Sequence, residues 1–377
     1  MKIKQQKRLK RSTWKLIVQP GAGVEPLIKA IDEAKESIQI LIFRFDRKEI
    51  EKALIRAVER GVAVSALIAW TNRGGETHLR RLETRFLAAG VTVSRTASDL
   101  ARYHGKMMIV DHTELYLLAF NYTALDIDGS RSFGVVTTTP AVVKEAVRLF
   151  EADSNRQPYE TATSTFIVSP VNARSELAKF LSGASKELMI YDPGLSDPQM
   201  VRILEERVRA GVTVRIIGNL KRVSKVLKAV EIGKLRLHTR TILRDGDCVF
   251  VGSQSLRAAE LDGRREVGVI LGDKRIVDGI AKVFEADWKD GKKSALQPGN
   301  EEAVSEKLAR KVAKVITKEI PPVAEVIESI SGDAVLRKGA LKDVDIEALE
   351  ETVRTAVRSV VVDTIQEAAG QPAAGSH

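Results

Sequence analysis

Two nine-residue stretches of this chain, YHGKMMIVD (residues 103–111) and LHTRTILRD (residues 237–245), share one pattern of polar residues. Each contains a histidine, a cation two positions later and an aspartate five positions after the cation. The residues concerned are His104, Lys106, Asp111, His238, Arg240 and Asp245. The two stretches lie 134 residues apart, and similarity at a long fixed offset indicates two joined copies of one structural unit.

The duplication extends beyond these stretches. The same offset places Asp128-Gly129, Gly134 and FEAD (150–153) on Asp262-Gly263, Gly268 and FEAD (284–287). Upstream the offset is 150, so the first copy has 16 additional residues before its histidine. The chain has only five histidines, and a histidine and a cation on one face are poor filling for a core. The repeated pair therefore indicates conserved chemistry between the copies rather than packing.

Each copy alternates apolar strand-like runs with amphipathic helical stretches, which is typical of an α/β layer structure. Strands are predicted over 37–43, 62–68, 115–119 and 133–137, and over 186–191, 212–217, 248–251 and 266–271. Helices are predicted over 48–60 and 198–210, and a further helix and short strand are expected before each histidine. We therefore expect two pseudo-symmetric α/β halves that face one another, residues 16–156 and 163–292, each with a closing helix that ends in FEAD.

Three segments fall outside this duplicated pattern. Residues 1–15 form a basic arm, and residues 289–300 (KDGKKSALQPGN) are predicted to be a polar link. Residues 301–377 are predicted to be a helical C-terminal extension that packs on the body or binds a protein partner. Within the additional residues of the first copy, 72–75 (NRGG) are expected to form a surface turn.

Charge and composition limit the partners. Hydrophobic residues make up 44% of the chain and the net charge is +10, of which the basic arm carries +7. A cationic arm on a cationic body suits nucleic acid or an anionic lipid surface. One cysteine, Cys248, excludes an internal disulfide, and no zinc-binding spacing is present. Without an apolar signal core or membrane-spanning run, we expect a cytoplasmic protein, with peripheral attachment to a membrane as the alternative.

The repeated pattern favours phosphate chemistry. Side chains at positions i and i+2 of a strand face the same way, so His104 emerges beside Lys106 and His238 beside Arg240. Two facing halves would put two imidazoles and two cations in one cleft. The cations can neutralise phosphoryl oxygens while one imidazole attacks phosphorus and the other protonates the leaving oxygen. No metal or cofactor is expected.

These residues resemble the phospholipase D superfamily, whose signature is H-x-K-x4-D, usually twice per active site. The resemblance covers both copies and implies two phospholipase D-like α/β/α sandwich halves. It implies that His104 is a nucleophile that forms a phosphohistidine and that His238 is the general acid. Lys106 and Arg240 would hold the phosphoryl oxygens, and Asp111 and Asp245 would stabilise the site.

The family also tends to follow each motif with G-S-x-N and then a glutamate. The first copy keeps only Asn121, and the second copy keeps Ser253 and Glu266, with Ser255 in place of the asparagine. By this resemblance, Asn121, Ser253 and Ser255 are expected to bind substrate. Ser132 occupies the position equivalent to Glu266. A carboxylate behind an imidazole makes it more basic, so His238, if backed by Glu266, is the alternative nucleophile.

Three functions remain open. The first is a phosphodiesterase or phosphatidyl transferase that acts on phospholipid, as in the cardiolipin synthase and phospholipase D branches. The second is a nuclease of the same superfamily. The third is a catalytically weak anion-binding module, which the departures at Arg240 and Ser132 favour.

Overall fold

The computed structural model describes residues 13–70, 76–222 and 224–295. The predicted C-terminal extension (301–377) and the turn at 72–75 lie outside the described residues, as do the first 12 residues of the basic arm. Trp14 and Lys15, which were expected to end that arm, are instead the first residues of a strand. Both halves belong to one compact unit that ends at Lys293.

The first half alternates strands and helices as its apolar pattern predicts. Its elements are β1 (Trp14–Gln19), α1 (Glu25–Glu33), β2 (Ser37–Ile42), α2 (Lys48–Glu59), β3 (Ala63–Ile68), α3 (Glu76–Ala88), β4 (Thr92–Arg95), β5 (Arg102–Tyr103), β6 (Met107–Val110), β7 (Glu114–Leu118), α4 (Ala124–Asp128), β8 (Ser130–Thr137) and α5 (Pro140–Ser154). Helix α2 buries Ile50, Ala53, Leu54 and Ala57, one face at helical spacing. Gly61 follows it with φ +88°, a conformation that favours glycine.

The second half repeats most of this order. Its elements are β9 (Phe166–Ser169), α6 (Ala173–Ser182), β10 (Glu187–Leu195), α7 (Pro198–Arg209), β11 (Thr213–Leu220), β12 (Ala229–Val230), β13 (Arg236–Leu237), β14 (Arg240–Arg244), β15 (Cys248–Gly252), α8 (Ala258–Asp262), β16 (Arg264–Leu271) and α9 (Lys274–Ala295).

Two details of the second half differ from the prediction. The expected helix before His238 is wrong, because the described residues between β11 and β12 contain no helix. That connection has eight residues, whereas the additional residues of the first copy accommodate α3. The closing helix of the second half also does not end at FEAD, since α9 runs on into the predicted polar link as far as Ala295.

Two sheets with equivalent strand orders carry the fold. The first has the order β1-β8-β7-β6-β2-β3-β4 and the second β12-β11-β10-β14-β15-β16-β5, with β9 beside β16 and β13 beside β8. Helices α1, α2 and α3 pack on the outer face of the first sheet, and α6 and α7 on the outer face of the second. The inner faces share one core with α5 and α9. The predicted architecture of two pseudo-symmetric α/β halves is confirmed.

No described helix is both long enough and apolar enough to cross a bilayer.

Candidate active site between the two halves

Each histidine follows a short strand that crosses to the other half. Strand β5 pairs in parallel with Arg264 and Arg265 of β16, and β13 pairs with Ser130 and Arg131 of β8. The backbone N–H of His104 then donates to the carbonyl of Arg265, at 2.7 Å. The backbone N–H of His238 donates to the carbonyl of Arg131, at 3.1 Å. Both histidines therefore lie where the two sheets exchange strands.

Two largely buried ion pairs fix the strands with which β5 and β13 pair. The guanidinium of Arg131 donates to both oxygens of Asp287, at 2.7 and 3.1 Å, and the hydroxyl of Tyr191 donates to the same carboxylate. Arg265 lies 3.1 Å from Asp153, and burial raises the pKa of that carboxyl to about 6. Asp153 and Asp287 are the aspartates of the repeated FEAD. Each helix aspartate is thus tied to the strand residue whose carbonyl binds a histidine.

The first histidine is backed by a carboxylate. Both oxygens of Glu266 lie within 2.9 Å of His104 Nδ1, so this nitrogen carries the proton and donates it to the carboxylate. Lys106 Nζ lies 3.0 Å from Nε2 and 3.1 Å from Nδ1. The ring of Phe43 packs edge-on against the imidazole, with the centroids 4.5 Å apart. His104 is therefore fixed with its Nε2 unprotonated, which is the form a nucleophile requires.

The predicted pairing of Glu266 with His238 is wrong. Because β5 crosses to the second sheet, the start of β16 faces the histidine of the first half and not its own. The carboxylate that would make a nucleophilic histidine more basic therefore backs His104 and not His238. The equivalent position of the first half, Ser132, is fully buried, and among the described residues its hydroxyl has no hydrogen-bond partner.

The second histidine has different partners. Its Nδ1 lies 2.9 Å from the carbonyl of Ala119, and since a carbonyl only accepts, Nδ1 is the donor. Its Nε2 lies 3.5 Å from a carboxylate oxygen of Asp126. Arg240 Nη1 donates to the backbone carbonyl of His238. Within the described part of the chain, Arg240 Nε makes no hydrogen bond, and the carboxylate of Glu260 is 3.8 Å away.

The four motif side chains act on one another. Burial lowers the pKa of both imidazoles well below the usual value, and the positive charges of Lys106 and Arg240 lower each of them further. His104 also lowers the pKa of His238. Burial and Arg240 bring the pKa of Lys106 down to about 7, against the opposing effect of Glu266. Burial and the two motif cations thus favour the neutral form of both imidazoles, and a bound phosphate would offset part of that positive charge.

The two motif aspartates lie away from this site. Asp111 accepts hydrogen bonds from the backbone N–H groups of residues 35–37, and Asp245 from those of residues 185–187. Both have positive φ, 50° and 54°, in the turn after the motif strand. Along β6, Asp111 lies about 16 Å from Lys106. The aspartates fasten the turn to the start of β2 and β10, which fits a stabilising role.

The residues predicted to bind substrate are engaged within the protein. The hydroxyl of Ser253 donates to the carbonyl of Val267, and that of Ser255 donates to Asp192. The amide nitrogen of Asn121 donates to Asp126, while among the described residues its carbonyl oxygen has no hydrogen-bond partner. All three side chains are buried. Their substrate-binding role stays a prediction.

Sequence reasoning missed several residues of this site. Asp126, Arg131 and Arg265 were not singled out, and the FEAD aspartates were noted only as repeated sequence. The duplication offset contains the missing signal, because it aligns Asp126 with Glu260 and Arg131 with Arg265. Among the described residues, no group of three His, Cys, Asp or Glu side chains is arranged to hold a metal ion.

Comparison with known proteins identifies the family. The family model described as cardiolipin synthase, PLD-like domain, matches residues 27–154 and 177–288, more than half of the chain. The chain therefore belongs to the phospholipase D superfamily, as one of its cardiolipin synthase-like members with a phospholipase D-like domain in two segments. Enzymes of this superfamily are phosphodiesterases and phosphatidyl transferases.

Individual relatives are distant. The mitochondrial cardiolipin hydrolase of Danio rerio is 25% identical over 130 residues, which cover 33% of this chain and 56% of that protein. The chain thus spans about half the length of this curated relative. Phosphatidylserine synthase of Haemophilus influenzae Rd KW20 has a TM-score of 0.56 at 11% identity, over 74% of this chain and 86% of that one. Polyphosphate kinase of Porphyromonas gingivalis has a TM-score of 0.61 at 17% identity, over 72% and 46%. At these identities the two structures share only the fold.

Proposed function

We propose that this chain is a metal-independent phosphodiesterase and phosphatidyl transferase that acts on phospholipid through a phosphohistidine intermediate. The observation that carries the proposal is the state of His104. Its Nδ1 is held by the buried carboxylate of Glu266, and its Nε2 lies in the same buried site as Lys106 and Arg240. This arrangement supplies an oriented nucleophile and two cations for one phosphoryl group.

The reaction would proceed in two displacements at phosphorus. His104 Nε2 attacks phosphorus while Lys106 and Arg240 neutralise the non-bridging oxygens. The bond to the leaving oxygen breaks, and that oxygen takes the proton of His238. Neutral His238 then accepts a proton from water or an alcohol, whose oxygen displaces the imidazole of His104. Water gives hydrolysis and an alcohol gives phosphatidyl transfer.

Two findings support a phospholipid substrate. The matching family description and the name of the curated relative both refer to cardiolipin, an anionic phospholipid. The net charge of +10 and the concentration of basic residues at positions 1–15 suit attachment to an anionic membrane surface. We therefore propose a peripheral enzyme that reaches its substrate in the membrane.

A nuclease is the second candidate, and three arginines near the site favour it. Arg236, Arg257 and Arg264 form ion pairs with Asp126 and Glu260, the carboxylates next to the motif residues. The side chains of Arg236 and Arg257 remain 42% and 37% exposed, enough to contact neighbouring phosphates of a nucleic-acid backbone.

A parallel assay separates these candidates. The protein is incubated with phosphatidylglycerol vesicles, cardiolipin vesicles, plasmid DNA and single-stranded DNA, all in the presence of EDTA. We expect phospholipid cleavage or transfer, and a labelled phosphoprotein after an alkaline denaturing quench, under which a phosphoramidate survives. His104→Asn should abolish both. His112→Asn is the matched control, because His112 lies in the turn after β6, where its φ of 50° also suits asparagine.

Each alternative outcome has a clear meaning. Cleavage of DNA without any change in phospholipid would overturn the phospholipid proposal in favour of the nuclease. Binding of vesicles or DNA without a phosphoprotein or product would overturn the enzymatic proposal and favour the anion-binding module.

A further inference from the structure

The carboxylate of Asp126 lies beside the second histidine, at a position that the motif does not include. Its oxygen Oδ2 is 3.5 Å from His238 Nε2 and also accepts hydrogen bonds from the backbone and side-chain nitrogens of Asn121. Arg236 donates to its other oxygen. Asp126 is 3% exposed, so its charge acts on His238 with little screening by solvent.

The hydrogen bond of His238 Nδ1 determines which proton the ring can present to Asp126. Nδ1 of His238 donates its proton to the carbonyl of Ala119. A second proton can therefore sit only on Nε2, which makes the ring an imidazolium whose Nε2–H faces Asp126. A neutral ring would instead present the Nε2 lone pair to a carboxylate, and that is electrostatically unfavourable. The contact with Asp126 thus favours the protonated ring, against the burial and the cations that lower the pKa of His238.

We infer that Asp126 is the positioning residue that keeps His238 in its proton-donating form during the cleavage step. The inference rests on the proposed function and specifies how its general acid is prepared. At 3.5 Å the carboxylate stabilises the charge of the imidazolium but is too distant for a strong hydrogen bond, so the proton stays transferable. When the bond from phosphorus to the leaving oxygen breaks, the proton moves from Nε2 to that oxygen. Asp126 takes no part in the proton transfer, and His238 keeps its Nδ1 proton.

Other charged groups around His238 act in the opposite direction. After burial, the cations Arg240, Lys106 and Arg236 lower the pKa of His238, as does His104. A bound phosphate anion would neutralise part of that positive charge and leave Asp126 as the adjacent carboxylate. We therefore expect the contribution of Asp126 to be most visible when the site holds an anion.

The two halves differ at this point, which makes the role specific to Asp126. In the second half, Glu266 backs the nucleophile, while Ser132 at the equivalent position supplies no carboxylate to His238. Glu260, the counterpart of Asp126, accepts a hydrogen bond from the backbone N–H of Ser255 just as Asp126 does from that of Asn121. Its charge raises the pKa of His104, but the carboxylate in contact with that histidine is Glu266. The same capping carboxylate therefore meets a general acid only in the first half.

The test compares Asp126→Asn with Asp126→Glu and Asp128→Asn. Asparagine keeps an oxygen that can cap residue 121 but removes the charge. Glutamate restores the charge, and Glu260 shows that this helix position accepts it. Asp128 lies on the same helix, exposed and paired with Arg47, so its substitution controls for a general loss of charge. Thermal melting of each variant shows whether the fold is retained.

Two measurements are made on the full chain. In the first, the imidazole signals are titrated by NMR in the presence of inorganic phosphate, with only five histidines to assign. We expect the midpoint for His238 to fall by roughly 1 to 3 pH units in Asp126→Asn and to return in Asp126→Glu. In the second, the pH profile of turnover is measured with a phosphatidyl ester and with bis(p-nitrophenyl) phosphate, whose leaving group needs no protonation.

Activity towards the phosphatidyl ester should fall at high pH as His238 loses its proton. In Asp126→Asn this fall should begin at a lower pH, and above that pH each pH unit of displacement should reduce the rate about tenfold. The nitrophenyl substrate should be much less affected. An unchanged His238 midpoint, or an equal loss with both substrates and in Asp128→Asn, would overturn the inference. If the wild-type protein cleaves neither substrate, the proposed function fails, while the NMR titration still decides whether Asp126 controls His238.

Discussion

The buried contact between Glu266 and His104 allows a quantitative prediction for Glu266→Gln. Glutamine keeps the size of the side chain and one acceptor oxygen, but it removes the negative charge that lies 2.8 Å from Nδ1. In the proposed mechanism, the ring of His104 acquires positive charge as it attacks phosphorus, and Glu266 stabilises that charge through a charge-assisted hydrogen bond. Such bonds contribute about 1.5 to 3 kcal/mol. Phosphohistidine formation should therefore slow by about 10- to 150-fold.

Rapid-quench measurement of phosphoprotein formation with labelled phosphatidylglycerol tests this value directly. Glu145→Gln is the matched control, because Glu145 is a buried glutamate that accepts hydrogen bonds from Tyr159 and Arg148 in another part of the fold. It should lower the melting temperature without slowing the labelling step. A labelling rate for Glu266→Gln within about threefold of wild type, in a variant that melts normally, would refute the assigned role of Glu266.

The other predictions concern charge and stability. Because burial brings the pKa of Lys106 down to about 7, Lys106 must take up a proton to bind an anion above that pH. The affinity for dimethyl phosphate, a diester whose own charge is constant in this range, should therefore fall in calorimetry as pH rises through 7 and stay flatter in Lys106→Arg. Asp245→Asn should reduce the free energy of unfolding in urea by about 1 to 2 kcal/mol, and any loss of activity should follow the unfolded fraction. Asp287→Ala should cost about 3 to 5 kcal/mol, because it removes the carboxylate that binds both the largely buried guanidinium of Arg131 and the buried hydroxyl of Tyr191. Adding Arg131→Met to that variant should recover part of the loss, and no recovery would count against the ion pair.

Much of the fold follows from local sequence pattern. The apolar face of α2 and the runs that became β2 and β3 were predicted to within a few residues, since helical and strand periodicities are properties of neighbouring positions. The predictions failed where the length of a connection or its tertiary context determined the secondary structure. The connection from β11 to β12 is too short for the helix that its duplicated partner contains, and α9 continues through a polar stretch that was expected to end it.

For the candidate active site, too, the sequence predicted some features and not others. The repeat brought His104, Lys106, His238 and Arg240 to attention, and the structure places all four in one electrostatically coupled site. The partner of each histidine could not be predicted in this way. A duplication offset identifies equivalent positions in the two copies, but it does not show which copy supplies the neighbouring strand.

The sequence by itself determined two α/β units, each with a histidine and a cation on one strand face, because these features depend on residue type and spacing. Only the tertiary structure decided that β5 and β13 exchange between the sheets, which brings Glu266 to His104 and leaves His238 with Ala119 and Asp126. The physical reason is that strand pairing between the halves is a long-range choice. It depends on how two complete sheets pack around a shared core, and no stretch of the chain contains that information locally.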